Sequence, residues 1–213
     1  MTQSALAVKT ASIPYHPDQF ETCLLVKSAF GEVVKILEDV REALPENERH
    51  FIKPQSLSDL YNHHSRGFPV LGSIDKKTGK IAAVLLITPS EGSDANPKLA
   101  NYPQSVKECD TAIISSVATA SGYSGQMESL LHHALQYAAG KLMGVWAKVS
   151  DENARSSKRF RDAGFEDRIH GEDPVKGYAV TYYRKSLTGI APKELPVFNE
   201  GHEPNRVISF PAP

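Results

Sequence analysis

The stretch Thr111-Ala-Ile-Ile-Ser-Ser-Val-Ala-Thr119 leads through Ala120-Ser-Gly122-Tyr-Ser-Gly125-Gln-Met127 into Glu128-Ser-Leu-Leu-His-His-Ala-Leu135. Its first part is a β-rich run, and its last part spaces apolar residues as a helix does. The two glycines between them predict a tight turn from the strand Thr111 to Thr119 into a helix from Gly125 to Ala139. Such a turn leaves the first N–H groups of the helix without intrahelical acceptors at the positive end of the dipole, which suits a phosphate anion. The absent side chain at Gly125 lets an anion approach the backbone closely. The same arrangement also serves as a plain connector, and neither a Walker lysine nor a dinucleotide fingerprint accompanies it.

Outward from this stretch the pattern keeps alternating. A strand from Gly144 to Val149 precedes a helix from Ala154 to Ala163, and a run dense in Tyr and Val, Tyr178 to Arg184, reads as a further strand. Glu166 to Lys176 is a strand or a loop. Upstream, Phe68 to Ile74 and Ile81 to Thr88 flank a polar segment with Gly79, the signature of a hairpin. Pro89 to Glu108, rich in Gly, Asn and Pro, reads as a long surface loop. In the early chain, Phe20, Leu24 and Lys27 predict a helix over Pro17 to Lys27, and Val33 to Leu44 a second one ending at Pro45. Ser56 and Asp59 form a capping-box pattern before a short third helix. From Leu187 the chain holds Pro192, Pro196, Pro204, Pro211 and Pro213 and reads as an extended appendage.

Composition narrows the function classes. With 24 basic and 25 acidic residues in 213, the net charge is -1, so no global field draws the chain to nucleic acid or anionic lipid. The apolar run Ile81 to Ile87 is far too short to span a bilayer, and Met1 to Ser12 lacks the apolar core of a secretory signal. A cytoplasmic protein with no membrane partner is the expectation. Cys23 and Cys109 are the only cysteines, too few for a disulfide framework or a thiolate metal clamp.

A second block sharpens the reading. Asn153 leaves the strand that ends at Val149, and Ser156, Phe160 and the pair Gly164-Phe165 follow it. Asn153-x-x-Ser156, Phe160 and Gly164-Phe165, placed after the glycine turn, resemble the two characteristic blocks of the GNAT N-acyltransferases, over about Ile81 to Lys185. The resemblance implies an α/β fold with a central mixed, mostly antiparallel sheet, a splayed parallel strand pair and flanking helices. It implies one domain over residues 1–187, with N-terminal helices in 13–67, the sheet and CoA-binding core in 68–187, and a Pro-rich tail in 188–213. The implied reaction moves an acetyl or similar acyl group from acyl-CoA to a primary amine by direct attack. Acetyl-CoA or another acyl-CoA is then the co-substrate, with no metal, and the acceptor is a small molecule or a protein lysine or N-terminus. A homodimer is left open.

By the same resemblance, the backbone of Val117, Ala118 and Thr119 meets the pantetheine arm, and Gly122, Tyr123, Ser124, Gly125, Gln126 and Met127 surround the pyrophosphate. Asn153, Ser156 and Phe160 complete the cofactor-binding set. Asn153 is equally an N-cap for the helix after it. The first block departs from the family pattern at Gly122, where a Gln or Arg stands, and at Met127, where a Gly or Ala stands. Phe160 occupies the position of the tyrosine that protonates the departing thiolate, and it has no proton to give. Tyr178, Tyr182 and Tyr183 offer phenols, of which Tyr178 is the candidate acid, although tyrosines on a strand commonly just pack. The candidate base is Asp110, beside Thr111 and Glu108 at the start of the strand. The pairs His63-His64 and His132-His133 cannot jointly hold a metal, because neighbours on a helix point about 100° apart, and they read as surface or groove residues. The alternative function is a catalytically inactive acyl-CoA-binding or protein-interaction module of the same fold.

Overall fold

The computed structural model describes residues 13–89, 111–173 and 177–198. Its elements run β1 (Ile13–Pro14), β2 (Phe20–Leu25), α1 (Phe30–Ala43), α2 (Leu57–Ser65), β3 (Val70–Asp75), β4 (Ile81–Pro89), β5 (Thr111–Thr119) and β6 (Tyr123–Ser124). They continue with α3 (Gln126–Ala139), β7 (Gly144–Ser150), α4 (Ala154–Asp162), β8 (Glu166–Glu172), β9 (Ala179–Ser186) and β10 (Val197–Phe198). Short 3-10 turns at Lys27–Ala29 and Glu46–Phe51 lead into α1 and on from it.

Eight strands form one sheet in the order β10-β2-β3-β4-β5-β7-β9-β8, antiparallel except for the pairs β10–β2 and β5–β7. The mixed, mostly antiparallel sheet is the architecture that the second half of the sequence implies. Helix α1 stops where Leu44 turns extended before Pro45, the conformation forced on a residue preceding proline. Helix α2 starts on the expected capping box, with Ser56 Oγ accepting from Asp59 N at 3.1 Å and Ser56 N donating to Asp59 Oδ2 at 2.9 Å.

Two expectations fail. The segment predicted helical, Pro17 to Lys27, instead holds strand β2, Phe20–Leu25, paired antiparallel with β3. Both faces of β2 are used, Cys23 and Leu25 in the core around α1, and Leu24 in the core around α3. A six-residue run buried on both sides matches helical spacing by accident, and its pairing with β3 decides the matter. The described part of the stretch read as an extended appendage, Leu187 to Phe198, packs into the core instead. Leu187, Leu195 and Val197 are buried in the α3-side core, and β10 pairs with β2 as Val197↔Leu24. No described helix is long and apolar enough to cross a membrane.

The sheet has two working faces. On β7, Val145, Ala147 and Val149 join the core beneath α3, with Phe160 and Phe165, whereas Trp146 faces the other way with Ile113, Val180 and Tyr182. This alternation follows from the period of two in a strand.

Candidate active site

Strand β5 follows β7 only as far as Ile114↔Ala147. Beyond that point it stays paired with β4 alone, and the register there is broken: Leu86 faces Ser116 while Ile87 faces Ile114, which leaves Ser115 as an inserted residue. A bulge bends and twists its strand. Here it also shifts the phase, because Ile113 belongs to the face of Trp146 before the bulge, whereas after it Ala118 is the residue on the α1 side and Val117 packs towards α3. The two parallel strands therefore splay. The edge of β5 from Ser116 to Thr119 that looks towards β7 has no ladder partner among the described residues, so its backbone can pair with an extended chain of another molecule. The side chains of Val117 and Thr119 are half-buried and that of Ala118 is buried.

At the mouth of the splay, the chain turns through Gly122 (φ 87°) and Gly125 (φ 71°) into α3. Gly125 is the N-cap, in the left-handed region, and no side chain caps the helix. Tyr123 N already donates to Ala120 O at 3.2 Å, so the positive end consists of the first amides of α3 and the dipole. Gln126 is wholly buried, accepting from Ser73 Oγ at 3.0 Å and donating to Ser124 O at 3.3 Å, so it offers a ligand only its backbone. Met127 is buried as well, with an Arg159 guanidinium nitrogen 3.2 Å from its sulfur. Arg159 also reaches Glu128 at 3.4 Å. Burial and the nearby Arg155 lower its pKa. The helix that supplies the second sequence block thus brings a cation beside the first turn of α3, and nothing in the spacing of Arg159 signals it. Also unforeseen is the strand pairing of β1 with β6, Ile13↔Tyr123 and Pro14↔Ser124, which lays Tyr15 along α3 with its hydroxyl accepting from Ser129 Oγ at 2.7 Å.

The second block proves to be the two ends of α4. Asn153 Oδ1 accepts from Ser156 N at 3.0 Å, the N-cap bond. At the other end Gly164 (φ 78°) lets Phe165 N donate to Phe160 O at 3.0 Å and Gly164 N to Arg161 O at 2.8 Å, a Schellman closure. Phe160 is 4% exposed and sits between Phe165 and Tyr183, with ring centroids 5.1 and 6.3 Å away. The structure therefore places Phe160 in the core.

On the opposite face, the open end of the sheet gathers polar groups. Trp146, Lys148 and Ser150 alternate along β7, and Lys148 Nζ lies 2.6 Å from Asp173 Oδ2 in a pair that is mostly shielded from solvent. Tyr178 stands where the chain returns from Asp173 into β9. Burial and then the Asp173 carboxylate, which accepts a hydrogen bond from the phenol, raise its pKa. Tyr182, across from Lys148 in the ladder, is pushed up to about 12 by burial, Asp173 and Tyr178. Both phenols stay protonated near neutrality. From the turn between α1 and α2, the His50 ring packs on Tyr178 at 4.5 Å between centroids. His50 Nε2, Ser150 Oγ and Trp146 Nε1 are buried atoms with no hydrogen-bond partner among the described residues. On β5, Ser115 Oγ accepts from Thr88 Oγ1 at 3.2 Å.

Other candidates lie elsewhere. Asp110, Glu108 and Cys109 fall outside the described residues. Thr111 is buried at the closed end, opposite Gly144, about 13 Å of strand away from Ser115. His63 is not at the surface: it is 4% exposed, with Nε2 3.3 Å from Pro69 O. His133 bonds Thr22 Oγ1 at 2.8 Å, and burial, with Lys193 and His132, lowers its pKa to about 4. Cys23 is buried, its thiol pushed up to about 12 by burial and by Glu21.

No protein-family model matches the sequence, and no curated protein matches it. Solved structures do resemble the fold. An N-acetyltransferase of Staphylococcus aureus superposes with a TM-score of 0.58 at 13% identity, covering 79% of this chain and 99% of that one. A Salmonella typhimurium protein described as an acetyltransferase, solved with its cofactor acetyl-CoA, gives 0.57 at 16% identity over 82% and 98% of the two chains. A variant of the spermidine N-acetyltransferase SpeG from Vibrio cholerae gives 0.56 at 14% identity over 80% and 95%. At such identities the likeness establishes architecture, and the chain has the fold of the GNAT N-acyltransferases.

Proposed function

We propose that this protein transfers an acetyl or similar acyl group from acyl-CoA to a primary amine, on a small molecule or on a protein lysine or N-terminus. The observation that carries the reading is the splay of β5 from β7 at the Ser115 bulge, with the uncapped glycine turn into α3 at its mouth. An extended pantetheine arm fits the open edge of Val117, Ala118 and Thr119, and the pyrophosphate fits the first amides of α3 at Gln126 and Met127, with Arg159 supplying the charge absent at Gly122. The acetyl-CoA held by the Salmonella neighbour supports the same ligand here. In direct transfer the amine attacks the thioester carbonyl and the thiolate leaves. Tyr178, kept protonated by burial and Asp173, is the acid for that thiolate in place of Phe160. Asn153, committed to its cap, acts on the site by fixing the start of α4.

The test is a pair of measurements on the full chain. Acetyl-CoA at a hundredfold excess over Kd should stabilise the protein by about 2.7 kcal/mol, and amines should draw free thiol from it. Stabilisation without thiol release is the signature of the second reading, a non-catalytic acyl-CoA-binding module, which the buried phenyl ring of Phe160 favours. Absence of any shift with acetyl-, succinyl- or longer acyl-CoA overturns both.

A further inference from the structure

We propose that His50 is the proton acceptor on the amine side of the site, its Nε2 taking the proton that the attacking nitrogen must lose. The inference rests on the acyltransferase reading above and goes beyond it by assigning the base.

Three observations converge. First, His50 lies on the turn Glu46–Phe51 between α1 and α2, and its ring rests on Tyr178. That places it over the face of Lys148, Ser150 and Tyr182, opposite the face beneath α3 and α4. A nucleophile approaching from that side meets a thioester held in the splay without displacing the cofactor. Second, Nε2 has neither solvent nor a partner among the described residues, and Ser150 Oγ, across the ladder from Val180 and so next along the face from Tyr178, is in the same state. A buried polar atom left unpaired in a folded protein calls for an explanation; of the three on this wall, Trp146 Nε1 lies four residues down β7 and can only donate, whereas His50 Nε2 and Ser150 Oγ are explained together by a ligand that donates to both. A primary amine has two N–H bonds to donate. Third, the charged groups there are already engaged: Asp173 holds Lys148 and accepts from Tyr178. The titratable groups around His50 include Tyr178 in contact, Asp173 and Lys148 beyond it, and Glu46, Glu48 and Arg49 on its own turn.

The step balances without another reactant. The lone pair of the neutral amine forms the C–N bond at the thioester carbonyl, one amine proton passes to His50 Nε2, the C–S bond breaks, and the thiolate takes the Tyr178 proton. Once amide and thiol have left and water enters the vacated site, His50 gives up its proton and Tyr178 regains one, which restores both side chains. Amide and free thiol are the products.

The experiment compares the full chain with His50→Gln and His50→Asn, using acetyl-CoA with spermidine and with a peptide bearing a free α-amino group. We expect kcat/KM at neutral pH to fall roughly a hundredfold in both variants. The melting shift with acetyl-CoA should stay at the wild-type value, which reports that each variant is folded and loaded. In the complex with CoA, the imidazole resonances that vanish in His50→Gln should move when spermidine or the peptide is added. Variants with wild-type rates, or resonances that ignore both amines, overturn the assignment while leaving the acyltransferase reading intact. Wild-type protein that binds acetyl-CoA yet releases no thiol with either amine overturns it too, since a base poised beside a thioester is not silent. A wild-type chain that fails to bind acetyl-CoA removes the underlying reading instead.

Discussion

Phe165 N donates to Phe160 O at 3.0 Å while the two rings meet edge to face at 5.1 Å. The backbone closure of α4 and its apolar clasp are therefore one structure, and Phe160 is part of the core. Phe160→Ala should cost about 3–5 kcal/mol, the usual range for emptying a buried aromatic site. Phe160→Tyr places a hydroxyl in that packing and should cost about 1–3 kcal/mol if it finds no partner. Urea unfolding of both variants checks the order, and Phe160→Tyr as stable as wild type would mean that the para position opens on the cleft.

The Gly125 prediction follows from a conformation. At φ 71° an added Cβ lies 3.3 Å from Tyr15 Cβ, so Gly125→Ala combines left-handed strain of about 1–2 kcal/mol with a tight contact. Gly125→Asn, which tolerates this region better, should keep more of the fold. It should still bind CoA at least tenfold more weakly, a loss of about 1.4 kcal/mol. Calorimetric titration of folded Gly125→Asn with undiminished affinity would move the pyrophosphate away from this loop.

How far the sequence was legible depends on the range of the interactions. The glycine turn, the β5-to-α4 alternation and the capping box at Ser56 are set by residues a few positions apart, and these read correctly. Strand β2 did not, because its partner β3 is some fifty residues away and its burial on both faces erases the alternation that marks a half-exposed strand. The contribution of Leu195 and Val197 to the core is hidden for the same reason. In the site, Asn153 and Gly164-Phe165 stand out in the sequence because helix ends demand particular residues. Arg159, Lys148, Asp173 and His50 come together only through the sheet register and the turn after α1, and no local spacing announces them.

His133 provides a pH prediction. Its pKa falls from 6.5 to about 4 in the folded chain, because burial, then Lys193 and His132, disfavour the imidazolium. The unfolded chain therefore binds a proton more readily than the folded one between those values. The contribution is complete above 6.5 and is lost as pH falls towards 4. Melting temperature should drop across that window, and His133→Asn, which has no titrating group, should flatten the drop. Equal acid limbs in the two proteins would assign the loss to other groups.

The last prediction concerns Asp173. Its carboxylate both pairs with Lys148 at 2.6 Å and accepts from Tyr178, so Asp173→Asn separates the charge from the shape. The amide keeps the volume and the backbone bond from Asp173 N to Tyr178 O at 2.8 Å. It takes the carboxylate charge away from the Lys148 ammonium, 22% exposed at its side chain, and stability should fall by about 2–3 kcal/mol, below the range for a fully buried pair because water still reaches the lysine. Adding Lys148→Met should recover part of that loss, since it removes the ammonium that Asp173 balanced. Tyr178 responds in a definite direction. Its folded pKa is raised above 10.0 by burial first and Asp173 second, so the proton it retains contributes stability that is complete below 10.0 and disappears as pH rises through the folded value. Without the carboxylate the second cause is gone while burial remains, and the phenol should ionise earlier on the alkaline side, though still later than a free tyrosine. Near-ultraviolet titration of wild type, Asp173→Asn and Tyr178→Phe isolates that one phenol by difference. If Tyr178 keeps the same titration midpoint when Asp173 becomes asparagine, the carboxylate does not hold its proton, and the case for Tyr178 as the acid loses its electrostatic support.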